Sequence, residues 1–156
     1  MSGQDIGFFS AEGACADLVI ENGDLKADNG LETAVLISLF TDGFVDLEDL
    51  PEGETNPRGW WADQVSNIST DQIGSKLWLF DRSKILENTE SGLETFAKEA
   101  LKWMLDDGIA TTVSAVATRI DKERIDLSIE IVKPTGDSTP FQFIWDGQDL
   151  KRQEAA

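Results

Sequence analysis

The chain has 156 residues, 40% of them hydrophobic and 28% charged, which is enough for one domain with its own core. Its formal charge is −17, from 13 Lys and Arg against 30 Asp and Glu. That is the wrong sign for nucleic-acid phosphates or anionic membranes, and it favours basic partners. With no His and Cys15 as its one cysteine, the chain cannot form a Ser-His-Asp triad, a Cys-His dyad, a His-liganded zinc site or an internal disulfide.

Residues 1–13 contain neither a basic segment nor an apolar core of the kind a signal peptide needs, so no export by that route is expected. No apolar run approaches the roughly 20 residues that span a bilayer. Residues 17–28 read as a β-hairpin, because Asn22-Gly23 suits a two-residue turn with positive φ at both positions. That register places Ile20 opposite Leu25 and Leu18 opposite Ala27 on one face. Residues 30–41 read as a helix, with Asn29 as N-cap, Glu32 completing a capping box and Gly43 as a stop. Its apolar residues extend beyond one stripe, so it should be buried on more than one side or lie in an interface. Residues 46–58 form an acidic loop with two prolines and a glycine, without the spacing of an EF-hand. Residues 74–80 are a short apolar segment, either a few helical turns or a short strand.

The longest periodic helix spans residues 90–106, with Thr89 as N-cap and Gly108 just past its end. Its stripe is Leu93, Phe96, Ala97, Ala100, Leu101, Met104 and Leu105, with Trp103 at the edge. Leu93, Phe96, Leu101 and Leu105 are expected to pack on a sheet. The period then changes to two. Residues 109–120, 125–132 and 141–145 read as three strands of a meander with one apolar side; Ile125, Leu127, Ile129 and Ile131 share one face of the second strand, and Phe141, Phe143 and Trp145 share one face of the third. The fold class is therefore α+β: an N-terminal β-hairpin, two main helices, and a C-terminal three-stranded antiparallel β-meander packed on the long helix. Residues 1–146 form one domain in this reading, and residues 147–156 a polar, flexible tail.

Neither a Walker loop nor a G-x-G-x-x-G turn occurs, and no Cys/His cluster is available to a metal. Paired carboxylates remain, as in glycoside hydrolysis, with Trp60-Trp61 able to stack on a sugar. No acid pair has a recognisably apolar setting, and Asp106-Asp107 followed by Gly108 reads as a turn. Trp and Arg are the residues most enriched at interface hot spots, so five Trp in a chain without these motifs point to packing and assembly.

Arg58-Gly59-Trp60-Trp61, then Gly74-Ser75-Lys76-Leu77-Trp78, then a helix ending at Asp107 and an alternating sheet resemble the Mu-type phage baseplate protein family. The likeness runs from about Asp17 to about Trp145. The family is similar in turn to contractile-tail wedge subunits that initiate the sheath, a group often labelled lysozyme-like although its role is structural. The resemblance implies a virion protein assembled in the host bacterial cytoplasm, with no catalysis and no cofactor. It implies contacts with other wedge proteins and with sheath, tube and hub proteins, and no nucleic acid, membrane or small-molecule substrate. Arg58, Trp60, Trp61, Trp78, Phe141, Phe143 and Trp145 are the candidate partner-interface residues. A sheet edge within residues 109–145 is expected to accept a partner's strand. The wider group carries Glu-Pro-Arg where helix meets sheet; this chain has Asp107-Gly108-Ile109-Ala110 there. The tail implied is that of a contractile phage or a phage-derived tailocin, and the alternatives are a peptidoglycan-cleaving, lysozyme-like hydrolase of the tail and the equivalent baseplate subunit of a bacterial contractile injection system.

Overall fold

The computed structural model describes residues 5–6, 8–11, 15–18, 20–21, 24–25, 27–28, 30–64, 72–80, 88–146 and 150–153. In the N-terminal part the described strand residues are β1 (Asp5–Ile6), β2 (Phe8–Ala11), β3 (Cys15–Leu18), β4 (Ile20–Glu21), β5 (Asp24–Leu25) and β6 (Ala27–Asp28). β4 and β5 pair with Ile20 opposite Leu25, the register expected for an Asn-Gly turn. Asn22, Gly23 and Asn29 lie outside the described residues. Leu18 sits opposite Phe8 in the β2–β3 pair, and Ala27 sits opposite Ile6 in the β1–β6 pair.

Helix α1 spans Leu31–Phe40. Gly30, at φ 75°, takes the N-cap position with no side-chain cap, and Glu32 closes no capping box. Its carboxylate instead accepts a hydrogen bond from Arg152. Leu31, Val35, Leu36 and Leu39 are buried, while Ile37 and Phe40 stay half-exposed. A 3-10 turn at Leu77–Phe80 follows the loop region and precedes helix α2 (Thr89–Ala100). Asn88, not Thr89, occupies the N-cap position. Gly92, inside α2, is a seat for Phe80: a Cβ there would lie 2.4 Å from the tip of that ring. Phe80 then stacks obliquely on Phe96 at 5.5 Å.

The expected single helix is broken at Leu101, whose backbone (φ −101°, ψ 2°) separates α2 from α3 (Lys102–Asp106). The break changes which residues face inward. Leu93, Ala97, Leu101 and Met104 are fully buried, whereas Leu105 is 40% exposed, contrary to its place in the periodic stripe. The same turn lets Trp103 donate its indole N–H to Ser38 Oγ on α1 at 3.0 Å. Gly108, at φ 70°, follows the helix end as expected.

The sheet has four antiparallel strands, not three: β7 (Thr112–Arg119), β8 (Ile125–Val132), β9 (Ser138–Trp145) and β10 (Leu150–Arg152), in the order β10-β9-β8-β7. β10 arises within the stretch read as a polar tail. Leu150 lies opposite Trp145 and packs on the core, and Arg152 lies opposite Phe143 and reaches Glu32. One sheet face carries Ile125, Leu127, Ile129, Ile131, Phe141, Phe143 and Trp145, all buried against α1, α2 and α3. Burying a side chain of this size is worth about 1.5–3 kcal/mol. Two arginines at opposite edges of that face tie it to the helices. Arg119 on β7 makes a bidentate contact with Glu90 of α2 at 2.7 and 2.8 Å, and Arg152 on β10 holds Glu32 of α1.

The bonding pattern of β7 follows from its register. Ile120 N–H donates to Arg124 C=O, so the even-numbered residues exchange bonds with β8 and the odd-numbered ones turn their backbone outward. That outward row is largely covered. Ala115 is 2% exposed, and Ala117 N–H donates to Glu94 Oε1 of α2 at 2.9 Å. On the other side β10 occupies the edge of β9.

Candidate interaction surface

The loop after α1 is held by a close crossing of two backbones. Gly43 N–H donates to Ser75 C=O at 2.8 Å, and Ser75 N–H donates to Thr41 C=O at 2.9 Å. No side chain fits there. A Cβ on Gly74 would lie 2.6 Å from Thr41 O, and one on Gly43 would lie 3.0 Å from Ser75 O. Buried Ser75 fastens the crossing, donating its hydroxyl to Leu39 C=O at 2.6 Å and accepting Leu77 N–H at 3.2 Å. Trp78, also buried, donates its indole N–H to Gly43 C=O at 2.9 Å. The segment 74–80 thus acts as a clasp on the end of α1.

Arg58 lies on top of this clasp. Its guanidinium is 4.1 Å from the centre of the Trp78 ring and donates to Asp42 Oδ2 at 2.7 Å. A cation over an indole is worth roughly 0.5–2 kcal/mol, and an ion pair this exposed adds less than about 1 kcal/mol. Arg58 has a φ of 54° and Gly59 a φ of 93°. Two successive residues in this region turn the chain sharply. Gly59 passes close over Phe44, whose Cβ would be 3.0 Å from any Cβ added there. Val45 N–H donates to Pro57 C=O at 3.0 Å and ties the two arms of the loop together.

The sharp turn sends both tryptophans outward. Trp60 is 41% exposed and Trp61 is 72% exposed; their rings touch at 5.9 Å with a tilt of 54°. Trp78 fills the inward position instead. Asp63 N–H donates to Trp60 C=O, and the 3-10 turn Trp61–Gln64 follows.

Of the seven residues expected at a partner interface, the structure leaves three on the surface of this loop: Arg58, Trp60 and Trp61. Trp78, Phe141, Phe143 and Trp145 are buried within the chain, so they are removed from the candidate surface. The aromatic face of β9 is satisfied by the chain's own helices. Two exposed apolar residues were missed, Phe44 at 41% and Leu47 at 69%. The signal was present for Leu47, which lies directly between Asp46 and Glu48.

The loop is strongly acidic. From Asp42 to Gln64 it has seven carboxylates and one guanidinium, and Asp46, Glu48, Asp49 and Glu52 are exposed. Among the described residues, the two carboxyl groups with displaced pKa values both move down. Backbone N–H groups of Asn56 and Thr55 hold Glu54 below the usual range, and the Arg119 guanidinium does the same to Glu90. A glycosidase's general acid needs the opposite displacement.

Comparison with known proteins finds relatives over most of the chain. The family model described as phage protein GP46 matches residues 31–138, from α1 to the start of β9. The chain is 34% identical over 128 residues to the baseplate protein gp46 of Escherichia phage Mu, covering 81% of this chain and 86% of that one. It is 37% identical over 127 residues to the Mu-like prophage FluMu protein gp46 of Haemophilus influenzae, with the same coverage of 81% and 86%. The clasp, the Trp-bearing loop and strands β7 and β8 fall inside the matched region, and the chain belongs to the GP46 family of phage proteins.

Proposed function

We propose that this chain is a structural component of a phage tail baseplate, a wedge subunit of the sheath-initiator type that acts through protein–protein contacts. The name of its phage Mu relative supports the baseplate setting. The single observation that carries the contact reading is the braced display of Trp60 and Trp61, at 41% and 72% exposure, on a loop fixed by the Arg58–Asp42 and Arg58–Trp78 contacts. Large aromatic side chains held outward in a defined position are the usual anchors of an interface. The neighbours are other wedge proteins and the sheath, tube or hub proteins. The chain is assembled in the host cytoplasm and retained in the virion.

Strand addition is part of this reading, and the geometry favours one edge for it. α2 covers the centre of β7, and β10 already pairs with β9. The outer side of β10 is the edge at which a partner strand can continue the sheet, through the outward backbone of Leu150 and Arg152.

Deleting the gene from its phage or prophage tests the role. Tails are expected to lack complete baseplates, and the purified chain is expected to release no soluble fragments from peptidoglycan. Peptidoglycan cleavage that disappears on mutating one carboxylate pair, with normal tails from the deletion, would reverse the assignment in favour of a hydrolase.

A further inference from the structure

We propose that the Trp60–Trp61 surface binds a cationic segment of a different protein, one that combines apolar side chains with Lys or Arg. The inference rests on the assembly role above and specifies the partner's chemistry.

The apolar part of the site is Trp60, Trp61, Phe44 and Leu47, exposed by 41%, 72%, 41% and 69% within one loop. The turn at Arg58-Gly59 directs the indoles away from the core. The loop is also acidic. Asp46, Glu48, Asp49 and Glu52 are exposed on the same loop, and Asp42 is its one carboxylate in an ion pair among the described residues. The loop's one cation does not offset them, since Arg58 is engaged with Asp42 and the Trp78 ring. Apolar anchors on a loop that also carries uncompensated carboxylates complement a partner that combines apolar side chains with positive charge.

Charge also decides against other occupants. A second copy of this chain brings another −17 and the same acidic loop to the contact. Nucleic acid and anionic bilayers carry the same sign. A sugar needs a flat stacking face, whereas the two indoles lean on each other at 54°.

The test uses assembled tails and the purified full chain. Trp61 is replaced by the photoreactive residue p-benzoylphenylalanine, tails are irradiated, and the cross-linked peptide is sequenced. The expected product joins position 61 to a peptide of net positive charge from a different tail protein. A product with another copy of this chain, a link to a net-acidic peptide, or no protein product would overturn the proposal. Absence of the chain from purified tails would count against the assembly role instead. The surface chemistry is then decided by titrating the purified chain, followed by Trp fluorescence, with a Lys/Leu peptide of fifteen residues, its Glu/Leu counterpart and a soluble peptidoglycan fragment. The Lys/Leu peptide is expected to bind at least ~10-fold more tightly to wild type than to the Trp60→Ala/Trp61→Ala variant and to weaken in high salt. Equal binding by the variant, or preference for the acidic peptide or the glycan, would overturn it. Both substitutions are at exposed positions, and an unchanged melting temperature will confirm that the variant is folded.

Discussion

Replacing Gly74 by Ala tests the clasp that sets the direction of the Trp-bearing loop. Gly74 has φ 107°, and an added Cβ would lie 2.6 Å from Thr41 O and 2.8 Å from Gly43 N, both backbone atoms that cannot swing aside. Gly53 is the matched control, with φ 91° and open space around its Cβ position. Positive φ alone costs an L-residue roughly 1–2 kcal/mol, and both variants carry that cost. At Gly74 the clash must also separate the pair of bonds linking Gly43, Ser75 and Thr41. Each such bond is worth about 0.5–1.5 kcal/mol net. Gly74→Ala is therefore expected to lose roughly 2–5 kcal/mol and Gly53→Ala roughly 1–2 kcal/mol. Urea unfolding followed by circular dichroism measures both. Native-state Trp fluorescence gives a second reading, because the Trp78 indole N–H bonds to Gly43 C=O and shifts with the crossing. Equal midpoints for the two variants, with unaltered fluorescence, would refute the argument that close backbone approach holds the loop.

Other substitutions probe the remaining contacts. Leu101→Ala is expected to cost roughly 2–5 kcal/mol, and Leu105→Ala less than about 1 kcal/mol, because the first is fully buried and the second 40% exposed; similar losses in thermal unfolding would mean that the helix does not break at Leu101. The Arg119 guanidinium lowers the Glu90 carboxyl below its ordinary value of 4.5, so the contact's stabilisation is complete above that pH and disappears as pH falls through the lower folded value. The stability gap between wild type and Glu90→Gln should accordingly close under acid, and a gap independent of pH would show that the ion pair contributes nothing. Trp103→Phe removes the donor to Ser38 Oγ and is expected to cost about 1 kcal/mol in chemical unfolding. An equal cost in a Ser38→Ala background would show that the bond is not the source.

Several features were legible because neighbouring residues encode them. Asn22-Gly23 sets Ile20 opposite Leu25. The alternation from Ile125 to Ile131 defines the buried face of β8. Gly108 marks the helix end, and the order of helices before sheet follows from the change of period. The partner-interface residues were separable only in part. A sequence window cannot tell the aromatic face of β9 from a sticky surface, because Phe141, Phe143 and Trp145 alternate in the same way whether a partner or the chain's own helices cover them.

Sequence by itself determined the period of each element, its turns and the acidic, His-free chemistry available to the chain. Tertiary structure decided which apolar residues remain exposed. The direction of Trp60 and Trp61 depends on Asp42 and on the Gly43–Gly74 crossing, which join positions far apart in the chain. Leu105 faces outward because the helix breaks at Leu101, where Trp103 can reach Ser38 on another helix. The polar C-terminal residues become a strand because Leu150 finds the core and Arg152 finds Glu32. Local spacing specifies a repeat along one segment; the side on which that repeat is buried is a free-energy competition among contacts that exist only after distant segments meet.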